Sequence, residues 1–262
     1  MKLSVSNIAW TKEYDEEMYC FLQENGFDGV EIAPTRIWQE VPYEQLKDAS
    51  TYADTILSKY GLTIPSIQSI WFGRTENIFA GDLQREALFA YTQQAIDFAD
   101  AIHSHNLVFG CPRNRAYNEA SDCSVAIPFF KALGDYAGNH NTVLSMEANP
   151  PIYNTNYCNT TKEAIQLVRE VESKGFLLNL DMGTMIQNGE DISVLEGYDS
   201  FINHVHISEP YLSAVKKRSI HNELSSYLKE NDYKGFVSLE VKAQEDISRL
   251  KDMLWYIKEV FA

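Results

Sequence analysis

Asp232-Tyr233-Lys234-Gly235-Phe236-Val237-Ser238-Leu239-Glu240 contains the unit from which the whole chain is built. A helical run ends at a glycine, a short apolar strand follows, and the strand closes on a carboxylate. Glycine, lacking Cβ, adopts most easily the left-handed turn that ends a helix, so Gly235 marks a helix-to-strand joint. Gly26, Gly61 and Gly175 occupy the same place between a helical run and an apolar one. Outward from these joints, short β-branched or apolar runs predict strands at Leu3 to Ala9, Gly29 to Ala33, Thr63 to Ile70, Asn106 to Cys111, Thr142 to Glu147, Phe176 to Asp181, Ile202 to Ile207 and Phe236 to Val241.

Longer amphipathic stretches separate these eight runs. Ile247, Leu250, Leu254 and Ile257 step by 3, 4 and 3 along one helical face, and Leu88, Tyr91, Ala95, Phe98 and Ile102 follow a similar spacing after the third run. Thr160 and Glu163 have the T-x-x-E spacing in which a hydroxyl and a carboxylate satisfy the free N–H groups of a helix start. Eight strand–helix units in 262 residues suit a parallel barrel, whose usual length is about 250 residues. An open doubly wound sheet would carry G-x-G-x-x-G after its first strand, and this chain has none. The predicted architecture is α/β, one (β/α)8 TIM-barrel domain over residues 1–262.

Composition narrows the partners. Twenty-two basic against 37 acidic residues leave a formal charge of −15, a field that repels nucleic acid and anionic membranes. No apolar stretch reaches the roughly 18 residues of a membrane span, and Met1-Lys2 leads straight into the first strand. The expected location is cytoplasmic. The four cysteines lie 91, 12 and 35 positions apart, matching neither a redox C-x-x-C nor a zinc knuckle, and are expected as reduced thiols. Self-association into a homo-oligomer is left open.

In such a barrel the carboxyl ends of the strands share one mouth, where catalytic side chains gather. The last four runs end Leu144-Ser145-Met146-Glu147, Leu178-Asn179-Leu180-Asp181, His204-Val205-His206 and Val237-Ser238-Leu239-Glu240. Taken singly, a strand-end carboxylate is an ordinary loop hydrogen-bonder and a histidine an ordinary packing residue. As a set, three carboxylates at one mouth repel each other unless a cation or shared protons neutralise them. Glu147, Asp181, His206 and Glu240 are therefore the expected metal ligands. An oxygen-rich set with one imidazole suits Mn²⁺, Mg²⁺ or Co²⁺ and also accommodates Zn²⁺.

Those strand ends, with Gly26-Phe27-Asp28-Gly29-Val30-Glu31-Ile32, Phe109-Gly110-Cys111-Pro112 and Asp232 to Glu240, resemble the xylose-isomerase-like TIM-barrel superfamily of sugar isomerases, epimerases and related metalloenzymes. The resemblance spans the chain. It implies that Glu147, Asp181, His206 and Glu240 match the family's ligands, and that Glu147 and Glu240 are also catalytic, exchanging protons with the substrate from opposite faces. The chain departs from the ketose-epimerase pattern twice. A histidine three residues beyond the strand-end aspartate is here Thr184, and a glutamate six beyond the first strand-end glutamate is here Tyr153.

Expected substrate-binding residues around the mouth are Glu31, Gln68, Trp71, Arg113 and His221. Glu31 either receives a substrate hydroxyl or pairs inside the barrel. Gln68 and Trp71 offer an amide and an indole to a polyol, although the indole can equally serve as packing. Arg113 offers a bidentate anion contact, weighed against a solvated loop arginine. His221 follows the basic triplet Lys216-Lys217-Arg218 and is equally balanced between mouth and scaffold.

The leading function is a divalent-metal isomerase or epimerase of a small-molecule carbohydrate, a sugar, sugar phosphate or related keto-polyol, working by proton transfer through an enediolate. A metal-dependent keto-polyol dehydratase starts with the same proton abstraction. A non-catalytic sugar-binding barrel is the alternative from another class. A zinc endonuclease of the same superfamily ranks far behind, since it needs further histidine ligands where this chain offers Gln68 and Cys111.

Overall fold

The computed structural model describes residues 1–118 and 122–262. Seven parallel strands form one curled sheet: β1 (Lys2–Ser6), β2 (Gly29–Glu31), β3 (Leu107–Phe109), β4 (Leu144–Glu147), β5 (Phe176–Asp181), β6 (Ile202–Ile207) and β7 (Phe236–Leu239). Their order is β2-β1-β7-β6-β5-β4-β3, that of a barrel cut open between β2 and β3.

The eighth stave fills the cut without forming a regular strand, which corrects the expectation for Thr63 to Ile70. It touches both neighbours through isolated bridges, Gly29 with Thr63, Ile32 with Ile67 and Ile67 with Leu107. Pro65 has no N–H to give to a ladder, so pairing is limited to its flanks. Val30 N donates to Thr63 O (2.9 Å), Gln68 N to Ile32 O (2.9 Å) and Val108 N to Ile67 O (2.8 Å). Gly29 is required opposite the proline, because a Cβ there would lie 2.8 Å from Pro65 Cδ. With this stave the sheet closes as a (β/α)8 barrel.

Except on β3, which is apolar throughout (Leu107-Val108-Phe109), polarity alternates along the longer strands. Leu3 and Val5, Leu144 and Met146, Leu178 and Leu180, Val205 and Ile207, and Val237 and Leu239 join one buried apolar cluster with the helices. The alternate positions carry Ser4 and Ser6, Ser145 and Glu147, Asn179 and Asp181, His204 and His206, and Ser238, and side-chain hydrogen bonds join them within the barrel. Below the mouth, Asn203 bonds Asn106 (2.8 Å) and Ser145 (3.3 Å), and His204 Nε2 meets Ser238 Oγ at 2.8 Å.

The helices follow their sequence signals. The Thr160/Glu163 capping box forms at Thr161–Val171, worth about 1 kcal/mol, and Ile247, Leu250, Leu254 and Ile257 are buried on Ile247–Phe261. Gly61 is the left-handed cap of Leu46–Tyr60 (φ 67°). Gly175 and Gly235 are not left-handed. At Gly175 close approach is what excludes a side chain, since a Cβ would lie 2.1 Å from Gly134 O. All four cysteines are free thiols. Among the described residues, no helix is long and apolar enough to cross a membrane.

Candidate functional site

Strand register brings the polar ends together. Glu147 pairs with Asn179, Asp181 with His206, and His206 with Ser238; Glu240 follows β7 directly, its N–H bonded to Ile207 O at 3.0 Å. One ligand atom from each of Glu147, Asp181, His206 and Glu240 lies within 4.8 Å of the others. His206 Nδ1 stands 3.2 Å from Glu147 Oε2 and 3.3 Å from Glu240 Oε2. Its other nitrogen, Nε2, is 2.9 Å from Glu31 Oε2.

The electrostatics follow from burial and crowding. Burial, then the charges of Glu147 and Glu31, push the Glu240 carboxyl up to about 7 against the opposing pull of His206. Burial and Glu147 also raise Asp181. Burial would depress His206, but Glu31 and Glu240 outweigh it and hold the imidazole pKa well above its usual range. Burial would likewise raise Glu31, yet His206 and His204 bring it down to about 2. The cluster demands positive charge, which a proton on His206 or a cation among the carboxylates supplies. The four residues therefore fit a divalent ion.

Neighbouring groups fix two of the carboxylates, Glu147 and Asp181. Asn179 Nδ2 donates to Glu147 Oε2 (2.8 Å) and Asn149 Nδ2 to Oε1 (2.9 Å). The fully buried Arg115 supports that wall through Asn149 Oδ1 (2.6 Å) and the Glu147 carbonyl (2.9 Å). Asp181 Oδ2 caps the helix Met182–Asn188, accepting from Thr184 N at 2.8 Å, and Ser208 Oγ donates to Oδ1. A Cβ at Gly110 would stand 2.9 Å from Glu147 Oε1, so this position is kept bare beside the carboxylate.

The cluster opens into a cavity of about 200 Å³, walled by Glu147, Asp181 and Glu240 together with Cys111, Tyr153 and Leu212. Tyr153 Oη accepts from Tyr211 N (2.7 Å), and among the described residues no acceptor takes its own proton. Burial, with Asp181, Glu147 and Glu240 nearby, pushes this phenol up to about 12. A larger hollow of about 1100 Å³ lies outside the barrel along Thr161–Val171, and no residue of the cluster lines it.

The remaining expected residues divide. Gln68 lines the cavity, but its amide is engaged with Ser6 and Glu31. Glu31 is corrected as a substrate contact: it is fully buried behind His206 and orients that ring. Trp71 is corrected too, because its indole N–H bonds Thr92 (2.8 Å) and its ring packs edge-on against Phe109 in the core. Arg113 is exposed and does not line the cavity, and Arg115 takes the inward place. His221 is buried on the helix Ser219–Glu230 against Tyr256 Oη (2.9 Å), away from the cavity. Arg218 of the basic triplet is held by a two-pronged ion pair with buried Glu209.

Asn179, Asn149, Arg115 and Ser208 were missed. Asn179 and Ser208 were legible as inward positions two residues from Asp181 and His206; Arg115 ends a single 3₁₀ turn and Asn149 sits in an irregular loop, both too short to carry a period.

No curated protein matches the chain in sequence. Among solved structures, a D-psicose 3-epimerase superposes with TM-score 0.80 at 16% identity, covering 100% of this chain and 99% of that one. A 3-keto-D-glucoside 4-epimerase from E. coli gives 0.76 at 18%, with 99% of each chain covered. A probable 3-DHS dehydratase from Bacillus anthracis gives 0.70 at 17%, covering 99% and 98%. At these identities the likeness is one of fold. The family described as xylose isomerase-like TIM barrel matches residues 21–258, and with its closed barrel this chain belongs to that family.

Proposed function

We propose that the protein is a divalent-metal-dependent isomerase or epimerase that moves a proton beside the carbonyl of a sugar or related keto-polyol. One observation carries the reading: Glu147 and Glu240, from strands three places apart around the ring, bring carboxylate oxygens to the same nitrogen of His206 at the floor of a small cavity. Glu147, Asp181, His206 and Glu240 would hold the ion. Its chemistry, when bound, is to polarise a carbonyl and offset developing negative charge on oxygen.

The chain's own groups do the rest. A carboxylate of Glu147 or Glu240 takes the proton from the carbon beside the carbonyl, leaving the electron pair in an enediolate. The partner carboxyl returns a proton to the opposite face, or the same one to the neighbouring carbon. Asn179 and Asn149 keep Glu147 aimed, and Glu31 keeps Nε2 of His206 engaged so that Nδ1 faces the carboxylates.

Tyr153 supports a second reading, dehydration. Its hydroxyl is protonated at neutral pH, lines the cavity and has its proton free, so it is suited to protonate a departing hydroxyl after the same C–H abstraction.

Metal-loaded protein incubated with a panel of ketoses in D₂O tests the proposal: metal-dependent exchange of the α-proton is expected, and product analysis separates isomer from dehydrated product. Glu147→Gln and Glu240→Gln should each lower turnover about 10²–10⁴-fold. Absence of both metal binding and exchange would identify a non-catalytic barrel. Near wild-type exchange in one variant would leave a single base.

A further inference from the structure

Arg115 carries a fully buried guanidinium, and among the described residues no carboxylate lies within ion-pair distance of it. A buried charge without a counter-charge is costly, so what it holds indicates what it is for. It holds neutral acceptors: Asn149 Oδ1 (2.6 Å), the Glu147 carbonyl (2.9 Å) and the Met146 sulfur (3.6 Å). Its backbone is anchored through the preceding residue, since Asn114 Nδ2 donates to Glu76 O (2.7 Å) and Arg74 O (3.2 Å).

Asn149 is anchored as well. Its N–H donates to Cys158 O (3.1 Å) and its carbonyl accepts from Asn159 Nδ2 (2.7 Å). Only the sense of its side-chain amide is left open, because the oxygen and NH₂ ends have nearly the same shape. A guanidinium can only donate, so it takes the oxygen end and turns Nδ2 onto Glu147 Oε1 (2.9 Å). The two oxygens of Glu147 are thereby divided. Oε2 accepts from Asn179 and faces His206 Nδ1, the nitrogen on which Glu240 also converges. Oε1 is the oxygen beside Gly110, where a Cβ would stand 2.9 Å away, and Gly110, Asn149 and Glu147 line the cavity together.

Resting on the proposed proton-transfer role of Glu147, we infer that Arg115 is a positioning residue of the reaction. Through Asn149 it holds Glu147 Oε1 toward the cavity as the atom that exchanges the substrate's proton, while Oε2 stays with the ligand cluster. In that step the C–H bond breaks, an O–H bond forms at Oε1, and the electron pair stays with the substrate as the enediolate. Arg115 itself does not line the cavity and acts only through its neighbour.

The test follows α-proton exchange of D-fructose, D-psicose and D-tagatose in D₂O by the Mn²⁺-loaded protein, with the Kd for Mn²⁺ read by calorimetry. Arg115→Met should lower kcat about 10–100-fold while KM and the Mn²⁺ Kd stay within about threefold, and Arg115→Lys, which keeps a donor for Asn149 Oδ1, should recover most of the loss. Asn149→Ala should cost a similar factor, and adding Arg115→Met to it should lower kcat by no more than about twofold further, the route being already cut. Asn149→Asp covers the case in which Arg115→Met does not fold: it removes the donor to Oε1 and adds negative charge, so kcat should fall at least about tenfold without weaker Mn²⁺ binding. Factors that multiply in the double variant, kcat and Mn²⁺ affinity falling together, or unchanged kcat in Asn149→Asp would overturn the inference. Wild-type exchange with Arg115→Met equally active would remove this role and leave the proposed function standing; no wild-type exchange on any of the three ketoses would remove both.

Discussion

Glu31→Gln isolates what a charge behind His206 contributes. Both side chains are fully buried, with Nε2 and Oε2 2.9 Å apart. At an effective dielectric near 20, unit charges at that separation attract by about 6 kcal/mol before desolvation is subtracted. Glutamine keeps the volume but has one acceptor oxygen where glutamate has two, and Glu31 uses two, one for Gln68 and one for His206. If the amide nitrogen faces Nε2, the ring proton moves to Nδ1, the atom that must be free for an ion. Losing such an orienting partner typically costs about 10–100-fold in metal affinity, or roughly 1.4–2.7 kcal/mol. The deficit should be largest at pH 8 and shrink toward pH 6, because Glu31 also helps hold the competing proton on His206. Calorimetric titration with Mn²⁺ at pH 6, 7 and 8 measures it, with Asp181→Asn as the control expected to lose the ion. Affinity within about twofold of wild type at pH 8 would refute the orienting role. Loss of binding in Glu31→Gln but not in Asp181→Asn would place the ion among Glu31, His204 and His206, the other group able to gather round one.

Three further outcomes follow from the same geometry. Chelation with EDTA should leave the barrel folded and lower Tm by about 5–10 °C from a hundredfold saturated state, since linkage there is worth about 2.7 kcal/mol; complete loss of helical circular dichroism would make the metal structural. Ion entry must displace protons from Glu240, Asp181 and His206, so Mn²⁺ affinity should rise with pH and at least one proton should leave per ion at pH 6.5. The dependence of the binding enthalpy on buffer ionisation reads that number, and zero would contradict it. Folded Glu240 holds its proton up to about 7 against 4.5 unfolded, so between those values the folded state binds more protons and chelated protein loses stability as pH rises. His206, raised above 6.5, acts in the same direction, while Glu31, lowered to about 2, adds stability that is complete above 4.5 and lost only in acid. Melting curves should therefore show chelated Tm falling from pH 5 to 8 while the Mn²⁺-loaded Tm holds or rises, and parallel curves would refute the assignment.

The barrel was legible because its signals are local and repeated. The capping box at Thr160, the helical stripe from Ile247 to Ile257 and the strand-end residues Glu147, Asp181, His206 and Glu240 each announce themselves within a few positions. What was hidden depends on contacts distant in sequence. Glu31 and His206 are 175 positions apart, and nothing near Glu31 tells a substrate contact from a buried partner. Arg113 and Arg115 are equivalent in sequence, and only the 3₁₀ turn Pro112–Arg115 turns one to solvent and the other to Asn149. The irregular stave between β2 and β3 misleads for a related reason: Thr63 to Ile70 has strand composition, but Pro65 allows only isolated bridges.

The polar interior accounts for the negative charge that the proposed cation would answer. A barrel of this size can fill its centre with branched apolar side chains; here the centre is serine, asparagine, histidine and carboxylate, with the apolar layer turned outward to the helices. Such an interior is tolerable only when largely hydrogen-bonded, and the contacts from Asn106 and Asn203 through Ser145, and from Ser4 and Ser238 through His204, meet most of that condition below the mouth. It fails at the top, where Glu147, Asp181 and Glu240 have more negative charge than His206 can answer and two of the three are driven toward protonation. Asn179 and Asn149 on Glu147, and Thr184 and Ser208 on Asp181, stop those two carboxylates from turning away to solvent. The residual charge therefore stays at the wall of the cavity, where the proposed divalent ion would relieve it.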